Sequence, residues 1–285
     1  MVRSIRDAHI YLGYIMTRAF ISILNAHSIG DTINQMFMDV LVQKTSDEQY
    51  WLLHTSDSQI TNTKLTDGWI HFELFNLYKK AGLYQNLIYI NGINNSNYNQ
   101  GHAAGNWVHR NLMRDYISKV YSRRYHEVHL GVPVEIGSTV YMPEELRERF
   151  SFLKTDEEQY STIQCLSTHY NTGKILPKLY MDAFLHGPHQ KIKFTGSLVE
   201  KQRVQEQIDI LKLDNPDIEM VNCCGVNIEE YFRIIYNTES NLSTESSSSL
   251  LAAQLGILSI IHFVYRAEMD IWKKKFKDVP TLTFV

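Results

Sequence analysis

The segment STIQCLSTHYNTGK, residues 161–174, places a strand-forming stretch directly before a strong turn signal. Apolar and β-branched residues from Ile163 to Tyr170 predict a strand, and a second such stretch runs from Ile175 to Phe184. The residues between them, Asn171 to Lys174, are typical of a tight turn. The segment therefore predicts a strand that leads into a hairpin.

Cys165 lies in the first of these stretches and is a candidate nucleophile. A cysteine nucleophile needs a lowered pKa, which nearby cations or a helix N-terminus provide. Most cysteines in strands are instead inert, small apolar residues. The local sequence leaves both interpretations open.

Helices and strands alternate irregularly on either side of this segment. Apolar spacing predicts two helices within residues 4–44 and further helices over 69–80, 111–124, 202–213 and 228–236. Short apolar runs predict strands at 50–54 and 87–90. The pattern favours an α/β (α+β) fold in which helices flank a mixed or antiparallel sheet, in a single globular domain over residues 1–285.

Residues 238–249 are mostly serine, threonine, asparagine and glutamate. Such a tract offers little apolar surface to offset the entropy lost on ordering. We therefore expect a flexible polar insertion between the predicted helix at 228–236 and an apolar region over residues 250–277.

Composition narrows the class of protein. Hydrophobic residues make up 44% of the 285 residues, and the formal net charge of -3 argues against broad nucleic-acid binding. No apolar run approaches the ~20 residues of a membrane span, and the N-terminus does not resemble a signal peptide. Three cysteines do not form a fully paired disulfide framework, which favours a reducing, cytoplasmic location.

Two histidine pairs have ligand-like spacing, His126 with His129 and His186 with His189. Zinc needs three or four ligands, usually at tight spacing, and no Cys-x-x-Cys or His-Glu-x-x-His motif supports either pair. We therefore predict no metal site. The glycine-rich loops of common nucleotide-binding folds and the Gly-x-Ser-x-Gly nucleophile motif are absent as well.

Arg123 and Arg124 end the predicted helix over residues 111–124. Cations at this end complement the helix dipole, which is the simpler explanation for the pair. Arginine also binds phosphate through two parallel donors, and the two side chains precede a predicted bend. Both interpretations stay open, with a narrow preference for a phosphate clamp.

Several blocks, taken in order, resemble the thymidylate synthase family, including its phage pyrimidine hydroxymethylase branch. The blocks are WIHFELFNLYKKAG from Trp69, NYNQGHAAGNWVHR from Asn97, RDYISKVYSRR from Arg114, QCLSTHYNTGKI from Gln164 and CGVNIEEYFRII from Cys224. The resemblance implies a catalytic Glu73, a nucleophilic Cys165, and substrate contacts by Trp107, Arg123, Arg124 and Asn227.

The activity that this resemblance implies is one-carbon transfer to C5 of a pyrimidine mononucleotide by a homodimer, with folate as the cofactor. The sequence departs from the family where an arginine and a late His-x-Tyr are expected, because Asp182, Asp270 and Trp272 stand in those regions. These departures make a relative that has lost catalytic activity a second interpretation of the resemblance. The alternative is a non-enzymatic viral or accessory interaction protein with an α/β core.

Overall fold

The computed structural model describes residues 19–25, 33, 48–54, 66–83, 86–90, 143–156, 159–167, 174–188, 190–276 and 279–285. Arg123, Arg124 and Trp107 lie outside them, as do His126 and His129.

A three-stranded parallel sheet occupies the first part of the chain. Strands β1 (Ala19–Asn25), β2 (Glu48–His54) and β3 (Asn86–Ile90) are adjacent in that order, and helix α1 (Thr66–Lys80) lies between β2 and β3 in the sequence. Gly82 ends α1 in the left-handed region with φ of 74°, where glycine avoids the strain that a Cβ would add. Leu83 N then donates to Tyr78 O at 2.8 Å, which satisfies a carbonyl of the last helical turn.

The rest of the described chain alternates strands and helices around a second sheet. Its elements are α2 (Pro143–Arg149), β4 (Ser161–Gln164), β5 (Leu166–Ser167), β6 (Lys174–Ile175), α3 (Lys178–Leu185), β7 (Lys191–Phe194), α4 (Lys201–Asp214), β8 (Glu219–Asn222), α5 (Ile228–Tyr236), β9 (Ser240–Thr244), α6 (Ser247–Gln254), β10 (Leu258–His262), α7 (Arg266–Lys275) and β11 (Leu282–Phe284). Short 3₁₀ turns occur at Ser151–Leu153 and Leu198–Glu200.

The second sheet is parallel and six-stranded, in the order β11-β10-β9-β4-β7-β8. From β4 the chain adds β7 and β8 on one side, then returns to place β9 against the other side of β4. This is the doubly wound order of nucleotide-binding folds. The order in which the chain adds strands reverses between β4 and β9, and folds of this type bind ligands at that point, outside the carboxyl ends of the strands.

Apolar side chains cover both faces of this sheet. Ile163, Phe194 and Leu242 point to one face, where they pack with residues of α3 and α4. Ile261 points to the other face, where it joins a cluster that includes residues of α1, α5, α6 and α7. Because neighbouring residues of a strand point to opposite faces, Ile260 packs against the first cluster while Ile261 belongs to the second.

The α/β class predicted from the sequence is confirmed, but the expected mixed or antiparallel sheet is wrong. The six-stranded sheet is parallel, and antiparallel pairing in the described chain is limited to the short hairpin of β5 and β6. The helices predicted near α1, α4 and α5 are present. Residues 19–25 form β1, although apolar spacing predicted a helix there.

The tract at 238–249, predicted to be a flexible insertion, contains β9 and the first turn of α6. All the residues of β9 are buried, and Leu242 is 1% exposed. The polar composition of the tract did not predict this strand, because its polar side chains form hydrogen bonds inside the protein. Ser240 Oγ lies 2.8 Å from Ser161 Oγ, and Asn241 Oδ1 accepts from Thr162 Oγ1 at 3.1 Å.

Leu242→Ala tests the burial of this tract. Removing a fully packed leucine side chain should lower the free energy of unfolding by about 2–5 kcal/mol, measured by urea titration. The matched control is Leu258→Ala in the adjacent strand β10, where the leucine is 55% exposed and the loss should stay within ~0.5 kcal/mol. Equal, small losses for both variants would mean that residues 238–249 do not belong to the core.

Candidate functional site

Polar side chains gather at the carboxyl ends of the strands, on both sides of the point where strand order reverses. The loop after β9 supplies Glu245 and a run of serines, and the hairpin after β4 supplies Lys174. The loop after β7 leads into Glu200. Parallel strands deliver all of these loops to one edge of the sheet, so residues far apart in sequence meet there.

The serine run forms the N-terminus of α6. Ser246 precedes the helix in an extended conformation, and its N–H donates to Ser249 Oγ at 2.9 Å. Ser246 Oγ and Ser248 Oγ lie 3.0 Å apart. The first turn of α6 carries no acidic side chain. Its backbone N–H groups and the positive end of the helix dipole therefore favour an anion in front of this turn.

Lys174 brings a positive charge to the same edge. Its side chain is 8% exposed, and its Nζ donates to Glu245 Oε2 at 2.7 Å. The other carboxylate oxygen, Glu245 Oε1, accepts from Trp272 Nε1 at 2.7 Å. A largely buried lysine is costly unless it is paired, so this contact with Glu245 fixes the cation next to the helix start.

Glu200 is a buried carboxylate with one oxygen engaged. Its Oε2 accepts from Ser197 N and from Ser197 Oγ, both at 2.7 Å, and the residue is 3% exposed. Its Oε1 is buried without a hydrogen-bond partner among the described residues. A Cβ at Gly196 would lie 3.1 Å from Glu200 Oε2 and 3.0 Å from Cys224 Sγ, so glycine leaves the room that this carboxylate occupies.

Other buried polar atoms at this edge also lack a partner within the described part of the chain. They are Gln164 Oε1, Thr195 Oγ1, Thr244 Oγ1 and His262 Nδ1. Burial also lowers the pKa of His262, whose ring packs 4.9 Å from that of Tyr180. An unsatisfied buried polar atom costs about 1–3 kcal/mol, so several at one edge indicate a place where water or a ligand hydrogen-bonds.

Two of the residues singled out in the sequence, Glu73 and Asn227, meet at the start of α5. Glu73 Oε2 accepts from Ile228 N at 3.2 Å, and Asn227 Oδ1 accepts from Glu230 N at 2.8 Å. Both side chains therefore satisfy N–H groups that the first helical turn leaves without a backbone acceptor. Through Glu73, α1 is joined directly to a helix of the second sheet.

Cys165 directly follows β4, at the same ends of the strands as Gln164, and is fully buried. Burial raises the pKa of its thiol to about 12. Cys224 is also buried, and the pKa of its thiol is raised to about 12 for the same reason. At neutral pH such thiols are protonated, whereas a nucleophilic cysteine reacts as the thiolate. No finding tests the site roles assigned from the sequence, and they stay predictions.

Sequence reasoning missed the residues that do converge, namely Lys174, Glu200, Glu245, Trp272 and the serines of α6. Lys174 was assigned to a turn and the serines to an insertion. One local signal was present, because serines directly before the apolar run LLAAQL are typical of a helix start. Trp272, in α7, gave no such signal because only the fold brings it to Glu245.

Within the described chain, no group of three or more His, Cys, Asp or Glu side chains is arranged to hold a metal ion. None of the described helices combines the length and apolarity that crossing a membrane requires.

The fold resembles those of several solved structures. The chain resembles a glycosyl transferase family 9 protein from Veillonella parvula with a TM-score of 0.55 and 10% identity, over 94% of this chain and 86% of that one. It resembles E. coli heptosyltransferase WaaC with ADP at a TM-score of 0.50 and 13% identity, over 85% and 86% of the two chains. E. coli ADP-heptose lps heptosyltransferase II gives 0.50 and 8%, over 94% and 90%.

At these identities the likeness establishes the fold alone. A scan of the sequence against protein-family models finds no match, and a search of curated proteins finds none either.

The resemblance to thymidylate synthases is therefore wrong, and with it the assignment as a pyrimidine C5 one-carbon transferase. The assignment as a viral protein and the non-enzymatic alternative are likewise without support. Each matching block was short, and WIHFELFNLYKKAG shares with many proteins the pattern of an ordinary amphipathic helix, here α1. The folate, homodimer and cytoplasmic expectations stay predictions.

Alkylation should separate the three thiols. Cys223 is partly exposed, whereas Cys165 and Cys224 are buried with raised pKa values. With iodoacetamide at pH 8, Cys223 should react first, and the other two should lag by roughly tenfold or more. Peptide mapping over time gives the rates. Labelling of Cys165 as fast as Cys223 would contradict a buried, protonated thiol.

The same thiols should weaken the fold in alkali. In the unfolded chain they ionise near a pKa of 9.0, while in the folded chain they keep their protons. The folded state then binds more protons, so the free energy of unfolding should fall as pH rises above about 9. The doubly substituted variant Cys165→Ala, Cys224→Ala is the control, and it should lose less stability over the same pH range.

Proposed function

We propose that this protein is a glycosyltransferase that binds a nucleoside diphosphate sugar at the carboxyl edge of the six-stranded sheet. The observation that carries the proposal is that a buried lysine beside a helix N-terminus and a buried carboxylate with an unpartnered oxygen both follow the carboxyl ends of strands next to the point where strand order reverses. Ligands of doubly wound α/β folds bind at this point.

The start of α6 and Lys174 suit the diphosphate. The N–H groups of the first turn offer donors without a competing acidic side chain in that turn. Lys174 adds a full positive charge beside them, through its contact with Glu245 one residue before Ser246. A phosphate at a helix N-terminus that also meets a lysine is a recurrent arrangement in nucleotide-binding proteins.

Glu200 suits the ribose. In doubly wound folds of this strand order, an acidic side chain accepts hydrogen bonds from a ribose hydroxyl. Glu200 follows β7, the strand next to β4, and its Oε1 is the acceptor without a partner among the described residues. A hydroxyl donor at this oxygen would remove the cost of burying it unsatisfied.

The comparisons support both the ligand class and the reaction class. WaaC is a heptosyltransferase whose solved structure contains ADP, and its fold covers 85% of this chain. Two further proteins with this fold are described as a glycosyl transferase and as an ADP-heptose heptosyltransferase. A nucleoside diphosphate is thus the first ligand to test. It is the product of glycosyl transfer from a nucleoside diphosphate sugar, and it is also the part that such sugar donors share.

Calorimetric titration with ADP, GDP, CDP and UDP tests the proposal, together with inorganic pyrophosphate as a probe of the phosphate subsite. At least one nucleoside diphosphate should bind. Lys174→Gln should weaken both nucleotide and pyrophosphate by about 1.5–3 kcal/mol, the range for a hydrogen bond to a charged group. Glu200→Gln should weaken the nucleotide by a similar amount and leave pyrophosphate unchanged, because only the nucleotide carries ribose.

The matched control is Lys191→Gln. Lys191 is the first residue of β7, so it lies at the amino ends of the strands, opposite the proposed site. There it pairs with Glu219 at 3.0 Å. Its replacement should leave nucleotide binding unchanged. If no nucleoside diphosphate binds the unmodified protein, or if the Lys191 and Lys174 variants bind alike, the assigned site is wrong. Release of nucleoside diphosphate from the matching sugar nucleotide then measures transferase activity where it depends on an added sugar acceptor, whose hydroxyl takes the glycosyl group; release without an acceptor measures hydrolysis.

A further inference from the structure

The Glu245 carboxylate is held from two sides by donors of different charge. Lys174 Nζ donates to Oε2 and Trp272 Nε1 donates to Oε1, each at 2.7 Å. These residues belong to the hairpin after β4, the loop between β9 and α6, and helix α7. One carboxylate therefore ties together three elements at the carboxyl edge.

The indole donor is fixed in position by its packing. Trp272 is 7% exposed, and its ring lies 5.5 Å from that of Phe263 and 4.9 Å from that of Phe276. The ring contacts on α7 and at the end of β10 restrict its rotation, so the N–H keeps one direction. Trp272 is also neutral, and it satisfies a carboxylate oxygen without adding charge.

A carboxylate next to the start of α6 opposes the binding of a diphosphate, because like charges in a partly buried site repel. Lys174 neutralises Glu245, yet the same ammonium group is the cation that an incoming phosphate needs. If Lys174 turns toward the phosphate, Glu245 loses a charged donor. The indole N–H of Trp272 still holds its carboxylate on the other oxygen.

We propose that Trp272 is a positioning residue for nucleotide binding. It holds Glu245 in place so that Lys174 can pass from the carboxylate to the diphosphate. The inference rests on the proposed function, since it requires a diphosphate at this edge. It deepens that function by assigning a role to a side chain in α7 that acts through Glu245.

A double-mutant cycle on the full chain tests the assignment, with ADP affinity measured by calorimetry. Trp272→Phe keeps an aromatic ring in the cluster and removes the N–H donor. It should weaken ADP roughly tenfold, because Glu245 then keeps Lys174 as its charged donor. In a Glu245→Gln background the same change should alter ADP affinity less than about twofold, since residues that act through one partner are not additive.

Phe284→Leu is the matched control. It disturbs the same aromatic cluster through Phe263, while Trp272 keeps its N–H, its acceptor and its contact with the Phe276 ring. The variant should lose stability in urea titration and bind ADP like the unmodified protein. A loss of ADP affinity equal to that of Trp272→Phe would assign the effect to packing and overturn the inference.

A readout without nucleotide separates this inference from the proposed function. The chain has four tryptophans, so indole N–H signals in a proton–nitrogen correlation spectrum are few, and Trp272→Phe identifies one of them. Glu245→Gln should move that signal, because the charged acceptor is replaced by a neutral one. A signal that does not move overturns the Trp272 assignment alone. Failure of every nucleoside diphosphate to bind the unmodified protein overturns the proposed function and the positioning role together.

Discussion

The pairing of β4 with β9 is the contact on which the rest of the structure depends. It joins the half of the sheet that grows from β4 through β7 and β8 to the half that grows from β9 through β10 and β11. Ile163 is opposite Leu242 in this pairing, and both side chains are buried on the same face. Hydrogen bonds from Thr162 to Asn241 and between Ser161 and Ser240 reinforce it. Without this pairing the six strands do not form one continuous sheet, and there is no point at which the strand order reverses.

The same pairing explains where buried polar groups are satisfied and where they are not. At the start of the strands, Ser240 and Asn241 bond to side chains of β4. At the carboxyl ends, Gln164 and Thr244 each keep a buried atom without a partner among the described residues. A buried polar atom of this kind is costly unless water or a ligand bonds to it. Unsatisfied atoms at the strand ends are therefore the natural lining of a polar ligand site.

Much of the local structure was predictable from the sequence, but the topology and the site were not. Apolar periodicity located α1, α4 and α5, because each buries one stripe of its surface. It failed for β1, because a short apolar strand and a buried helical turn leave similar patterns. Composition failed for β9, because propensity does not report which polar groups find partners across the sheet. Strand order is set by contacts between distant residues, such as Ile163 with Leu242, and local sequence patterns do not contain them.

The residues of the candidate site could not be predicted from the sequence for the same reason, because contacts between distant residues bring them together. Lys174, Glu245 and Trp272 span about a third of the chain, and their spacing resembles no ligand motif. The resemblance to thymidylate synthases drew attention to Glu73 and Asn227, which in the structure accept hydrogen bonds from N–H groups at the start of α5. A helix cap and a catalytic acid can share the same residue types, because both need a carboxylate or amide oxygen near a donor.

The polar character of β9 also accounts for the position of α6. Central strands of parallel sheets are usually rich in valine, isoleucine and leucine, which keep a covering helix at a distance. Here Ser243 is buried opposite Ile261 on the face covered by α6, and the helix itself buries Ser248, Ala252 and Ala253. Small side chains on both surfaces let a helix lie closer to a sheet. The composition that hid β9 from sequence analysis thus permits close packing of α6 on this strand, whose end leads through Glu245 into the helix.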